Sequence, residues 1–339
     1  MPLLRRSFGG SAVEDWVPIT DGLEQVAGQV PLTDLGGALV DRERPDVAPE
    51  ASHRMVAGYL SHMAKIAATG PWNPGPPTAT EDMMTDSRSD DQPDVLLSVD
   101  DGVAAIVLNR PARKNAITGP MMDLLADVFR QVSARDDVGA VLFHGADGGF
   151  CSGLDLGEYN ADPPPDWLPT SLDSLVAAHR AIYDCPVPVV GALERFAING
   201  GAAFALACDL LVAGETAFLQ VGEVRQGLAA PMNLAWLLAR RPASVAEQLT
   251  LTGRRFTGPD LHRLGVALDV LADDGVLDAA RVLATEIASY PRAGARAIKA
   301  TTRALYEGAG PTGDSDWFDL AQSGNPLPVG GSVRPRRAG

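Results

Sequence analysis

From Val95 onwards, short apolar runs alternate with segments of helical periodicity, and this alternation restricts the possible folds more than any other feature. The runs VLLSVD and VAAIVL, joined by Asp101-Gly102, have strand character, as do GAVLFHG, VPVVGAL and LLVAG further along. Thr118 is placed to cap a helix whose apolar positions include Met122 and Phe129. Strands that alternate with helices predict an α/β fold in which helices pack on a largely parallel sheet.

Composition divides the chain into four parts. Residues 1–93 are rich in Pro, Gly, Asp and Glu, so we expect an N-terminal extension that is largely disordered or linker-like, with one helical pattern at 49–68. Residues 94–230 carry the alternating pattern and form the predicted core. Residues 231–310 are predicted to be a C-terminal helical region, and 311–339 a flexible tail. Met83 and Met84 stand just before the change in composition, which suggests that the natural chain begins near Met84.

Charge and residue usage exclude several classes of function. A formal net charge of −15 argues against a nucleic-acid or anionic-membrane partner, since both need a basic face. Cys151, Cys185 and Cys208 show no CxxC spacing, and the five histidines form no HxxxH or HExxH pattern, so no metal site is expected. No apolar run is long enough to span a membrane, and none follows Arg5 and Arg6 as in an export signal, so a cytoplasmic location is expected.

Two segments share one order of features: a strand, a turn of small residues, then a helix start. They are HGADGGFCSGLDL (144–156) and ALERFAINGGAAFAL (192–206). Such turns leave backbone N–H groups uncovered, and two of them can converge on one developing oxyanion. Alternatively, the glycines only permit close packing of helix and strand. The chain has no GxGxxG, GxxxxGK[ST] or GxSxG, so dinucleotide, P-loop and α/β-hydrolase sites lack support.

Five motifs, in order, carry a resemblance to a known family. The chain from Val95 to about Glu307, roughly two-thirds of it, resembles the crotonase (enoyl-CoA hydratase/isomerase) superfamily. The motifs are NRPARKNAI (109–117), GGFCSGLDL (148–156), AINGGAAFALACDLLVA (197–213), FLQVGEVRQGL (218–228) and LTGRRFTGPDLHRLGVALDVL (251–271).

The resemblance implies a crotonase-like spiral of β-β-α units with C-terminal helices, assembled as a homotrimer or as a hexamer built from two trimers. It implies a coenzyme A thioester as substrate, with no other cofactor. The family's oxyanion hole maps to the backbone N–H groups of Ser152 and Gly200, and its shared glutamate maps to Glu223. The loop that runs near coenzyme A contains Arg113 and Lys114, and Lys299 is a further candidate for its phosphates.

The sequence departs from the family pattern where hydratases need their second acid. That glutamate falls on Ala203, and a glycine whose N–H helps to hold the water falls on Pro231, which has no N–H. Gly222 replaces the proline before the shared glutamate, which suggests a looser aim for Glu223.

One carboxylate suffices to move a double bond, so the sequence favours an enoyl-CoA isomerase. Asp155 and Glu158 are candidates for a second carboxylate. A hydratase, another enolate reaction such as thioester hydrolysis or decarboxylation, and a non-catalytic acyl-CoA-binding protein stay open.

Overall fold

The computed structural model describes residues 3–5, 16–18 and 92–308. Strands β1 (Leu3–Arg5) and β2 (Trp16–Pro18) pair antiparallel, with Leu3 opposite Pro18. These six residues therefore form a two-stranded pair, which the composition of the extension did not predict. The predicted helix at 49–68, the suggested start near Met84 and the tail at 311–339 lie outside the described residues.

A six-stranded sheet forms the framework of residues 92–308, in the order β11-β8-β6-β5-β4-β3. Its strands pair in parallel except for the β3–β4 hairpin, whose turn is Asp101-Gly102 as predicted. A second sheet, of three strands, has the order β10-β9-β7 and is called the small sheet below. The strands are β3 (Val95–Asp100), β4 (Val103–Leu108), β5 (Ala140–Gly145), β6 (Val189–Leu193), β7 (Phe196–Ile198), β8 (Leu210–Gly214), β9 (Phe218–Gln220), β10 (Arg255–Thr257) and β11 (Asp269–Leu271).

Helices cover the main sheet and form the C-terminal part of the described chain. They are α1 (Gly119–Ser133), α2 (Leu156–Tyr159), α3 (Ser171–Asp184), α4 (Gly200–Ala207), α5 (Pro231–Arg240), α6 (Ala243–Thr252), α7 (Gly258–Arg263), α8 (Val276–Ser289) and α9 (Arg292–Gly308). The Thr118 side chain accepts the Met121 N–H at 3.3 Å and so caps α1, as predicted. None of the helices in the described residues is long and apolar enough to cross a membrane.

A repeated unit of two strands and a helix winds through the core. Strand β6 of the main sheet leads into β7 of the small sheet and then α4, and β8 leads in the same way into β9 and α5. After β5, Cys151 forms a single bridge to Ala197 of β7 before α2 begins. This spiral of β-β-α units confirms the predicted fold class.

The predicted boundary at 230 does not separate a core from a purely helical region. Strand β10 pairs with β9, and β11 extends the main sheet beside β8. Both strands are three residues long, too short to show an alternating pattern in the sequence. The segment after 230 therefore completes both sheets of the core.

The larger apolar core lies between the main sheet and helices α1, α3 and α4, and a smaller cluster lies between the main sheet and α8. Phe143 of β5 makes edge-to-face contacts with Phe129 and Phe150 at ring-centroid distances of 5.6 and 5.2 Å. Burial raises the pKa of the Cys151 and Cys208 thiols to about 12, so both are neutral core residues. This rigid interior fixes the strand ends that lead into the site.

Candidate active site

Three turns meet where the strands of the small sheet end. Strands β7 and β9 are parallel, with Ile198 opposite Gln220, so the residues after them emerge side by side. Asn199 and Gly200 follow β7, and Glu223 comes three residues after β9. The bridge of Cys151 to β7 adds the turn at 152–154 on the other side. Carboxyl ends of parallel strands are common places for ligand sites in α/β folds.

The two glycines that open α4 have different roles. A Cβ on Gly201 would lie 2.3 Å from the Cys151 carbonyl oxygen, so glycine is needed there for close packing. A Cβ on Gly200 would meet only the end of the Ile117 side chain, at 3.2 Å. The N–H of Gly200 lies in the first turn of α4, where a helix provides no acceptor of its own. Packing thus explains Gly201, and an open backbone at the helix start explains Gly200.

The structure corrects the first predicted oxyanion donor. The Ser152 N–H is already donated to the Lys114 carbonyl oxygen at 3.1 Å, so it is not free for a ligand. The Ile117 N–H donates to the Gly153 carbonyl oxygen, and the Ile117 carbonyl oxygen accepts the Asp155 N–H. The N–H of Leu154, the residue between those two, therefore points to the opposite side. That N–H has no hydrogen-bond acceptor among the described residues.

The turn before Leu154 lies against the start of α4. Gly153 has a φ of +94°, and a Cβ on it would lie 3.7 Å from the Gly200 nitrogen and 3.0 Å from the Ile198 carbonyl oxygen. The open N–H groups of Leu154 and Gly200 therefore belong to adjacent segments. The sequence motif located this turn but placed the donor two residues too early.

Glu223 is a buried carboxylate, only 2% exposed, at the start of a short 3-10 turn. Its Oε1 accepts a hydrogen bond from Asn233 Nδ2 at 3.0 Å, while its Oε2 is buried without a partner in the described part of the chain. Burial raises the pKa of Glu223 to about 7, partly offset by a hydrogen bond from its own backbone. Near neutral pH this carboxyl can therefore both take up and release a proton.

Two asparagines that the sequence analysis missed connect the parts of the site. Asn199, whose φ of 52° and ψ of −115° suit glycine better, accepts the Gly222 N–H on Oδ1 at 2.9 Å. Asn233 Nδ2 also donates to the Asn199 carbonyl oxygen at 3.1 Å. A proline at 222 could not donate this bond, so Gly222 tethers the segment before Glu223 rather than loosening it.

The candidate second carboxylates are engaged in an ion-pair cluster. Asp155 accepts hydrogen bonds from Arg113 at 2.8 Å and Arg110 at 3.1 Å, and it caps α2. Burial opposes ionisation of Asp155, but the bonds from Arg113, the Glu158 N–H and Arg110 outweigh it and hold its pKa below the usual value. Glu158 pairs with Arg110 at 2.6 Å. Both carboxylates therefore hold the loop in place, and the structure does not favour either as a proton carrier.

The predicted coenzyme A contacts do not all lie together. Arg113 and Lys114 are exposed neighbours on one loop, although the Arg113 guanidinium also binds Asp155. Lys299 Nζ instead lies 2.6 Å from Asp209, just past the C-terminal end of α4, and donates to the Val187 carbonyl oxygen at 2.9 Å. Gly200 begins the same helix at its other end. The structure therefore separates Lys299 from the site, and its charge serves to dock α9.

The other departures from the family pattern are visible as packing. Ala203 is fully buried in the core, one turn into α4. Pro231 begins α5 after Ala230, which has a φ of 49°. Within the described residues, no group of three His, Cys, Asp or Glu side chains could hold a metal ion.

Comparison with known proteins agrees with this architecture. The family model described as Enoyl-CoA hydratase/isomerase matches residues 98–316, well over half of the chain. The chain belongs to the enoyl-CoA hydratase/isomerase family. Membership agrees with the crotonase-like spiral of β-β-α units described above.

Individual relatives carry different names. A 1,2-epoxyphenylacetyl-CoA isomerase of Escherichia coli K12 is 32% identical over 209 residues, which cover 60% of this chain and 80% of the relative. A probable enoyl-CoA hydratase of Mycobacterium tuberculosis H37Rv is 36% identical over 214 residues, covering 62% and 81%. A solved structure of a putative family member from Hyphomonas neptunium aligns with a TM-score of 0.59 at 33% identity, covering 68% of this chain and 87% of that one.

Proposed function

We propose that this member of the family is an enoyl-CoA isomerase in which Glu223 is the single proton carrier. The observation that carries the proposal is the state of Glu223: a buried carboxyl with a pKa raised to about 7 and one oxygen without a partner. A base with a pKa near the working pH combines a useful ionised fraction with a useful proton affinity. Ala203, aligned with the second glutamate of hydratases, supplies no carboxyl, and Pro231, aligned with the glycine that helps to hold the water, supplies no backbone N–H.

The reaction that fits these groups moves a double bond along the acyl chain. The thioester oxygen of a 3-enoyl-CoA accepts hydrogen bonds from the N–H groups of Leu154 and Gly200. Glu223 Oε2 then takes a proton from the α-carbon. The electron pair spreads over the dienolate, whose negative charge rests on the held oxygen. Glu223 then returns the proton to the γ-carbon, which gives the 2-enoyl-CoA and restores the carboxylate.

The coenzyme A end of the substrate is assigned to the loop of Arg113 and Lys114. Both side chains are exposed, and cationic groups of this kind bind phosphates. The substrate brings its own coenzyme A, so the reaction needs no further cofactor. In line with the family resemblance, we also propose a homotrimer or a hexamer of two trimers as the active assembly.

A second candidate is an enoyl-CoA hydratase. Its support is the Mycobacterium tuberculosis relative, which is named a probable enoyl-CoA hydratase. Hydration by this chain would need another group in place of the missing glutamate, because a positioned acid–base group is typically worth about 10²- to 10⁴-fold in rate. Asp155 and Glu158 are poor substitutes, since arginines already hold both.

The test is a paired spectrophotometric assay with 3-enoyl-CoA and 2-enoyl-CoA. Wild type, Glu223→Gln and the control Glu247→Gln, which changes an exposed carboxyl on α6, are compared side by side. We expect conjugation of the 3-enoyl thioester by wild type and control, its loss in Glu223→Gln, and slow decay of the 2-enoyl absorbance throughout. Fast hydration of 2-enoyl-CoA would favour the hydratase. No turnover of either substrate with acyl-CoA binding retained would favour a non-catalytic binder or another enolate reaction.

A further inference from the structure

Asn233 touches both halves of the site through one side chain. Its Nδ2 donates to Glu223 Oε1 at 3.0 Å and to the Asn199 carbonyl oxygen at 3.1 Å. Asn199 immediately precedes Gly200, the residue that offers an open N–H at the start of α4. The carboxyl and the oxyanion segment are therefore tied to the same amide group.

The amide group of Asn233 is held in the interior and makes no further hydrogen bond within the described residues. The residue is 1% exposed and lies in the first turn of α5, behind Pro231. Its Oδ1, like Glu223 Oε2, is buried without a partner in the described part of the chain. An unpaired buried polar atom costs free energy, so a residue with only a packing role would be better replaced by an apolar side chain.

We propose that Asn233 is a positioning residue: it anchors Oε1 of Glu223 against the backbone that precedes the oxyanion donor, and so leaves Oε2 as the oxygen that exchanges the proton. The inference rests on the proposed function, because it gives Glu223 the role of proton carrier. It adds to that function an explanation of how the Glu223 carboxyl is oriented. With one oxygen fixed to α5 and the chain before Gly200, the other has a defined direction relative to the held thioester.

By the same bond, Asn233 should lower the proton affinity of Glu223. A donated N–H favours the ionised carboxylate, while burial favours the neutral form. Among the residues that the structure describes, no neighbouring charge contributes to the raised pKa of Glu223, and Arg225 of the same 3-10 turn is exposed. The hydrogen bond from the Glu223 backbone lowers the pKa of this carboxyl, and Asn233 is the side chain in the described residues that donates to it as well.

The experiment compares Asn233→Leu, which keeps the size but removes the donor, with Asn233→Asp, which keeps the shape and replaces the donor with an acceptor. Trp236→Phe is the matched control. It lies one turn further along α5, and it removes the buried bond from Trp236 Nε1 to His179 Nδ1, 2.9 Å long. Two quantities are measured for each protein: the pH profile of kcat/KM with 3-enoyl-CoA, and the Glu223 pKa by ¹³C NMR of labelled glutamate, assigned by the signal missing in Glu223→Gln.

We expect both Asn233 variants to move the acidic limb of the profile, and the NMR pKa with it, upward by about one unit, and more in Asn233→Asp. The Trp236→Phe control should lower the melting temperature and leave both values in place. Unchanged values in a folded Asn233→Asp would overturn the proposal. Because the NMR reading needs no substrate, an upward pKa with no isomerase turnover would retain the tie to Glu223 while refuting the proposed function.

Discussion

At the scale of single residues, burial gives Glu223 a chemical use and a cost in stability. The site holds a carboxyl whose pKa lies at about 7, well above its ordinary 4.5, because water is excluded from it. Ionisation near neutral pH then takes place in an environment that favours the neutral form. Functional groups with perturbed pKa values of this kind often reduce the stability of the fold that contains them.

The pH dependence of turnover follows from the raised pKa of Glu223. The isomerase reaction needs the ionised carboxylate as base, so kcat/KM should be half-maximal near pH 7 and fall about tenfold for each unit below it. The measurement is kcat/KM with 3-enoyl-CoA between pH 5.5 and 9. A profile that stays flat down to pH 5.5 would contradict a base with this pKa.

The stability cost is testable with Glu223→Gln. The folded-state pKa lies above the unfolded one, so the native state binds more protons between about pH 4.5 and 7, and stability falls as pH rises through that window. Removing the charge should therefore raise the free energy of unfolding by about 3 kcal/mol at pH 8, and by less than about 1 kcal/mol at pH 5. Urea denaturation at both pH values measures this difference. Glu247→Gln, at an exposed position, should show no such pH-dependent gain.

At the scale of elements, the start of α4 separates packing from function within two consecutive residues. Gly201→Ala would drive a methyl group to 2.3 Å from the Cys151 carbonyl oxygen, and backbone atoms cannot yield easily. We expect a loss of about 3 kcal/mol in unfolding free energy. Gly200→Ala would meet only the end of Ile117, so stability should stay within about 1 kcal/mol of wild type.

Activity should rank the two variants in the opposite order to stability, with the larger loss of kcat/KM in Gly200→Ala. The methyl group of Gly200→Ala would stand beside the N–H that donates to the thioester oxygen in the proposed reaction, so kcat/KM should fall about tenfold or more while the fold persists. Thermal melts and kcat/KM, measured for both variants, provide the comparison. Equal stability of the two would show that the contact of Gly201 with Cys151 does not govern packing here.

The sequence predicted long elements well and short ones poorly, for a physical reason. Helices α1 and α5 and strands β3 to β6 carry enough periodic positions to be recognised. Strands β7, β9, β10 and β11 have three residues each and owe their existence to pairing partners distant in the chain. Long-range pairing leaves little local signal, so the small sheet and the completion of the main sheet were not predicted.

The same limit applied to the site. The order of strand, small-residue turn and helix start pointed to both glycine turns, and the family resemblance pointed to Glu223. They did not distinguish Ser152 from Leu154, since that choice depends on which N–H is already taken by Lys114. Asn233 gave no signal at all, as its importance comes from contacts with Glu223 and Asn199 that only the fold creates.

At the scale of the whole described core, α9 leaves an apolar groove. The groove, of about 1030 Å³, lies between α9, the end of α8 and the end of α5. Among its lining residues, Ile298 is 69% exposed and Tyr290 49% exposed. Exposed apolar surface of this extent commonly marks a contact between proteins. A second copy of this chain is the occupant that the family resemblance implies.

Ile298→Asp tests that assembly. A charge in the groove would have to be desolvated on association, so the variant should sediment as a smaller species than wild type at the same concentration, with an unchanged melting transition for the single subunit. Ala300→Asp is the matched control, because Ala300 is exposed two residues further along α9 and does not line the groove. Sedimentation velocity over a range of concentrations measures the outcome. Wild type that sediments as one subunit would refute the trimer, whereas Ile298→Asp of wild-type size would place the contact on another face.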